Sequence, residues 1–212
     1  MKRITLSALL MTLFLLMSCN NSGTSPKDGQ AAKSDGTLID LATISSKITE
    51  AVAFAKDVKG VHTLVKSIDE LAKAIGKKIK QNAEELDVDN GKNNKNGELV
   101  AGAFQVMLTL KSQLEKLENK AGFSDDLKRK VIDVKNKCKV FVDKLKADAD
   151  LAKAEVTDEH AQKTIDVSKD DEKGSKALGD FNKSVDELLK TANDAVIAAI
   201  KELTTSAKPS NT

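Results

Sequence analysis

The strongest constraint in this chain is a stripe of apolar residues stepping by sevens through its first long segment: Ile44, Ala51, Val58, Val65, Ala72 and Ile79. A companion stripe holds Leu41, Ile48 and Ala55, then shifts to Val61, Ile68 and Ile75. That drift suits the 3.6-residue period of a single α-helix packed on neighbours better than a strict two-stranded coiled-coil seam. The pattern predicts a helix from about Leu38 to Gln81 with Thr37 as N-cap. At 1.5 Å per residue it would be about 65 Å long and would need partners along most of its length.

The partners are present downstream. Leu99, Ala103, Val106, Leu110, Leu114 and Leu117 predict a second helix over about Leu99–Asn119. Gly122 and Ser124 mark a turn and a cap, with Asp125 and Asp126 suited to a helix N-terminus. A third helix, about Asp125–Lys153, carries Leu127, Val131, Val134, Cys138, Phe141 and Leu145 on one stripe. Thr157 is placed to cap a short fourth helix through Val167. The last runs over about Lys176–Thr205 with Leu178, Phe181, Val185, Leu188, Ala192, Ala195, Ala199 and Leu203. Aromatic residues make up 3% of the chain, with no Trp or Tyr, and Pro occurs twice. Sheet-favouring residues beyond Val and Ile, and residues that break helices, are therefore few. The expected fold is all-α: an elongated bundle of about five helices, four-helix-bundle-like in its core, with long antiparallel first and last helices.

The N-terminus has a different logic. Lys2 and Arg3 precede an apolar run from Ile4 to Met17, shorter than the ~20 residues a spanning helix needs, and the run ends at Leu16-Met17-Ser18-Cys19. This is a secretory leader closing on a lipobox, and it lacks the A-x-A-like site of plain secretion. Cys19 is read as the cut-and-lipidate position, a covalent lipid being the one attached group expected and no other cofactor. The two cysteines of the chain, Cys19 and Cys138, could otherwise form one bridge. Lipidation leaves Cys138 without an intrachain partner, either a small buried hydrophobe or, if exposed, a link between chains. The domain boundaries follow: 1–18 signal peptide, 19–36 acylated N-terminus and flexible tether, 37–205 helical domain, 206–212 frayed tail. The seventeen tether residues after Cys19 would reach about 23 Å root-mean-square.

Charge excludes one class. The net +2 includes Lys2 and Arg3; without the leader, 32 basic residues balance 32 acidic ones. Nothing there supports nucleic-acid binding, and basic residues interleaved with aromatics are missing. The segment Asp87–Glu98 resembles a twelve-residue calcium loop at Asp87, Asp89 and Glu98. It fails where Gly91 stands for an oxygen ligand and Lys92 for the turn glycine, so it reads as a helix-to-helix connection. The stretch Ala74–Ile79 has one glycine and reads as continuing the first helix. His62 is expected at the edge of the core and His160 in solvent; no His/Cys/Asp cluster has metal spacing, and no catalytic constellation is visible. The expectation is a non-enzyme without a metal.

Four segments together resemble one family. "TLSALLMTLFLLMSCNNSG" (Thr5–Gly23), "SIDELAKAIGKKI" (Ser67–Ile79), "NGELVAGAF" (Asn96–Phe104) and "IKELTTS" (Ile200–Ser206) are similar to the variable small protein and outer surface protein C family of borrelial lipoproteins, in order and spacing through nearly the whole chain. The lack of Tyr and Trp and the mid-chain loops favour the variable small protein branch. The resemblance implies a major surface antigen anchored through Cys19 to the outer leaflet of the outer membrane. It implies a bundle whose first and last helices pack together, often as a homodimer; the extra apolar Ile39, Val52 and Leu64 could serve such an interface or equally the intrachain core. It implies membrane-distal loops that vary for immune evasion and meet host extracellular molecules or antibodies. An out-and-back helical path would put Asp87, Asp89, Asn90, Lys92, Asn93, Asn94, Lys95, Asn96 and Glu98 at the far tip, with Asp148–Thr157 or Ser168–Ser175 as further candidates. A periplasm-facing structural lipoprotein is the alternative.

Overall fold

The computed structural model describes residues 30–32, 38–89, 94–120 and 124–206. Cys19 and the leader lie outside them. The described chain divides into two compact units, one holding residues 1–49 and 197–212 and the other Glu50–Val196.

In the first unit, β1 (Gln30–Ala32) pairs antiparallel with β2 (Leu38–Asp40), Gln30 opposite Asp40. Three residues of the expected tether are thus strand. Helix α1 (Leu41–Ala72) starts behind Asp40, whose carboxylate accepts from the Thr43 amide at 3.0 Å and from its hydroxyl at 2.6 Å. Those bonds lower the Asp40 pKa, the Thr43 hydroxyl contributing most. Asp40, rather than the expected Thr37, does the capping. Lys47 Nζ meets Glu202 Oε1 at 2.9 Å across the first and last helices.

In the second unit, α2 (Gly97–Glu118), α3 (Asp125–Ala147), α4 (Asp158–Ile165) and α5 (Ser175–Ser206) complete five α-helices among the described residues. The expected all-α bundle is the fold. Two expected caps are in place: the Ser124 side chain accepts from the Leu127 amide, and that of Thr157 from the His160 amide. The core runs through Phe54, Val58, Val61, Val65 and Ile68 of α1, Met107, Leu110 and Leu114 of α2, Val131, Val134, Cys138 and Phe141 of α3, and Leu178, Phe181, Val185 and Leu188 of α5. Each fully buried large apolar side chain contributes about 1.5–3 kcal/mol relative to exposure. The α3 stripe is buried as expected. On α2 the buried stripe is rotated, Val100 and Met107 taking the core while Leu99 and Val106 are half-buried. Leu64 packs against the core and Val52 is exposed; nothing is described of the Ile39 side chain. His62 lies at the core edge, its Nε2 3.1 Å from Asp186 Oδ1. Asn182 Nδ2 donates to Asp69 Oδ1 at 3.1 Å, and with His62 opposite Asp186 this pair sets α1 and α5 antiparallel here.

The helix expected to reach Gln81 stops at Ala72. Gly76 has φ +69°, a conformation that ends a helix and suits glycine. A β-carbon there would also lie 2.7 Å from Asp158 Oδ2. Beyond it, β3 (Lys77–Ile79) pairs with β4 (Leu86–Val88), Lys77 opposite Val88 and Ile79 opposite Leu86. Asn82 takes positive φ in the connecting turn, closed by Lys80 N–H donating to Glu85 O. The seven-residue stripe therefore fails at its last member: Ile79 is 82% exposed, on a strand. Helix α3 likewise ends six residues early. Asp148 adopts extended backbone, and its side chain accepts from the Asp150 amide to open a 3-10 turn over Ala149–Ala152. A short side chain that bonds nearby backbone competes with helix continuation.

Candidate functional site

Four chain segments converge at one end of the second unit: the end of α1 with its hairpin, the approach to α2, the 3-10 turn, and the start of α4. Asn96 joins them. Its amide donates to Val156 O at 3.1 Å, and its side-chain Nδ2 donates to Val156 O at 3.0 Å and Asp158 Oδ1 at 2.8 Å. Gly97 N donates to Ala154 O, and the Asp158 amide donates to Asn94 Oδ1 at 3.4 Å. A buried polar side chain needs partners of this kind, and Asn96, 6% exposed, has them.

The expected host-facing segment is therefore not uniform. Asn96 faces inward and is structural, because its amide spans two backbone segments. Asp87 lies on β4, exposed, its carboxylate accepting from the Val88 amide. Asp89 is half-buried with Lys78 Nζ at 4.0 Å. Asn94, Lys95 and Glu98 are exposed. Asn90, Lys92 and Asn93 lie outside the described residues. A strand, an ion pair and a helix start replace the simple connection between helices. Gly76, Lys77, Asp89, Lys95, Asn96 and Glu98 line a groove of about 200 Å³ that mixes both signs of charge.

Beside it lies a cluster that sequence spacing did not suggest. His160, expected in solvent, has a side chain only 13% exposed, with Nε2 2.6 Å from Asp148 Oδ2. Asp150 Oδ2 lies 4.0 Å from His160 Nδ1. Lys153 Nζ donates to Asp150 Oδ1 at 2.6 Å, and that bond holds the Asp150 carboxyl below the ordinary range. The same contact raises the Lys153 pKa. Two aspartates two residues apart and a histidine ten further on are an unremarkable spacing on a continuous helix. Only the break at Asp148 folds them onto one another. The broken period after Leu145, with Asp at 148 and 150, was the available signal.

The expected segment Ser168–Ser175 is also anchored. Lys144 Nζ on α3 donates to Glu172 O at 2.6 Å, and the Asp171 amide donates to the buried Ser175 Oγ at 2.8 Å. Cys138 is fully buried, and desolvation pushes its thiol up to about 12. It is the small hydrophobe of the two readings and not a link between chains.

Comparison with known proteins covers nearly the whole chain. A family model described as "Lipoprotein" matches residues 38–209. The chain is 50% identical over 207 residues to variable small protein 11 of Borrelia hermsii, covering 97% of this chain and 99% of that one. It is 44% identical over 217 residues to outer surface protein C of Borreliella burgdorferi, covering 96% and 95%. Among solved structures, that of variable small protein 1 of Borrelia turicatae matches with a TM-score of 0.72 at 49% identity, covering 77% of this chain and 99% of that chain.

Proposed function

Because the chain belongs to the borrelial lipoprotein family that includes the variable small proteins and outer surface protein C, we propose that it is an outer-leaflet, lipid-anchored antigen. On this reading it displays a helical body for antigenic variation and contact with host molecules. Cys19 carries the lipid. Several acyl chains, each adding ~0.8 kcal/mol per buried CH₂, make the anchoring durable where one chain would be marginal. The activity is display and binding rather than catalysis.

The observation that supports this most directly is the division of labour around Asn96. Its two side-chain bonds hold the backbone frame, while Asp87, Lys95 and Glu98 point their side chains to solvent. Surface substitutions on such a frame change stability by under about 0.5 kcal/mol, so the exposed chemistry can vary while the fold stays. A homodimer is part of the proposal, with exposed Val52 available to it; sedimentation that finds only monomer at high concentration removes that part.

The deciding experiment is fractionation with protease treatment of intact cells. The wild-type chain is expected in the membrane fraction and is cleaved by external protease; Cys19→Ala is expected to leave the membranes. Membrane retention of Cys19→Ala overturns the anchor. Survival of the wild type under protease overturns surface display in favour of a periplasm-facing envelope role.

A further inference from the structure

From the side chains gathered where α3 ends and α4 begins, we infer that Asp148, Asp150 and His160 form a binding site for a divalent transition ion of the zinc class. The inference stands apart from the display function and from the lipid anchor. One donor atom from each residue lies within 4.8 Å of the other two. Zinc bonds to imidazole nitrogen and carboxylate oxygen are about 2.0–2.2 Å, so donors on one tetrahedral ion stand about 3.3–3.6 Å apart. Closing the set needs a movement of about 1 Å, which Asp150, with a side chain 57% exposed and held by the exposed Lys153, makes by turning its carboxylate. Asp148 Oδ2 stands at His160 Nε2 and Asp150 Oδ2 nearer Nδ1, so an ion on one ring nitrogen draws the other carboxylate along the ring edge.

The donor chemistry selects the ion. One neutral imidazole and two carboxylates balance a +2 charge. A nitrogen donor disfavours calcium and magnesium, which take oxygen ligands in larger number. Three protein ligands leave a fourth position toward solvent, beside Asp150. The supporting contacts are arranged for this. The Asp150 amide holds Asp148 Oδ1, leaving Oδ2 for the ion. The Thr157 cap sets His160 in the first turn of α4. Lys153 occupies Asp150 Oδ1 and leaves Oδ2 toward the ring. The second histidine–carboxylate pair makes the contrast: His62 has Asp186 at Nε2 and Lys59 Nζ 3.4 Å from Nδ1, and among the described residues no second carboxylate completes a donor set there.

The test uses the full chain carrying Cys19→Ala, so that the buried Cys138 is the remaining thiol, free of any metal-binding tag. Zn²⁺ alone is titrated calorimetrically, and thermal unfolding is followed with and without it. One equivalent of Zn²⁺ is expected to bind and to raise Tm. His160→Gln and Asp150→Asn are expected to weaken binding by about tenfold or more and to remove the rise in Tm; His62→Gln is expected to bind as the parent does. Circular dichroism checks each variant, and if His160→Gln fails to fold, the exposed Asp150→Asn decides. No uptake by the parent, parent-like affinity in Asp150→Asn, or loss of binding in His62→Gln overturns the site.

Discussion

Asn96 and Asp158, 62 residues apart in sequence, are joined by a 2.8 Å hydrogen bond from the Asn96 amide to the Asp158 carboxylate. The same amide nitrogen reaches Val156 O, so one side chain ties the start of α2 to the start of α4. Asn96→Ala removes both bonds from a buried position, and the expected cost is about 1–3 kcal/mol in urea unfolding. Asn96→Asp is expected to cost more at neutral pH, since it sets a second carboxylate against Asp158. Unchanged stability in both variants would show that the junction is held elsewhere.

Glycine substitutions should separate by position rather than by helix propensity. Gly97→Ala places a β-carbon 2.5 Å from Lys153 O and 2.9 Å from Ala154 O, both backbone atoms. The clash should outweigh the ~1 kcal/mol that alanine gains in a helix, leaving a net loss of about 1–3 kcal/mol. Gly102, on the same helix, has nothing within 4 Å of its added carbon. Gly102→Ala is expected to stabilise by about 0.5–1 kcal/mol. Thermal melts of the two variants, moving in opposite directions, check this.

Burial should make Cys138 inert. With the thiol pushed from 9.0 to about 12 and the side chain fully covered, thiolate is nearly absent from the native protein. In a Cys19→Ala chain, iodoacetamide is expected to label Cys138 at least about 10³-fold more slowly in buffer than in urea. Because the folded pKa is raised, this group's contribution to stability is present below pH 9 and declines as pH rises toward 12.

Acid should loosen the junctions between helices. The Glu172 pKa is lowered, chiefly by the hydrogen bond from Lys176 and further by Lys144 on α3. Glu159 is lowered by Lys163 in the same way. A depressed carboxyl contributes stability above its ordinary value, here 4.5, and loses it as pH falls through the folded value. Tm should be level between pH 5 and 7, approximately, and fall below pH 4.5. Glu172→Gln should show a shallower acid fall, and a parallel fall would mean that other carboxylates govern it.

Much of the architecture could be read from local pattern, because a helix records its buried face in the spacing of its own residues. The stripe from Leu127 to Leu145 and the caps Ser124 and Thr157 stand as their residue types require. Identical reasoning carried α1 too far. Ala74–Ile79 keeps an apolar period and contains only one glycine, and neither fact reveals that Gly76 takes positive φ against Asp158. That arrangement depends on a carboxylate 82 positions away in the numbering. No window of neighbouring residues contains it.

The sequence by itself determined that the chain is helical and where most of its buried faces lie, the α3 stripe above all. Tertiary structure alone decided that α1 yields to a hairpin, that Asn96 turns inward while Lys95 and Glu98 do not, and that Asp148, Asp150 and His160 meet. The difference is physical. Periodicity and capping are properties of adjacent residues, whereas a left-handed glycine, a buried amide and a gathered donor set exist only after distant segments have packed.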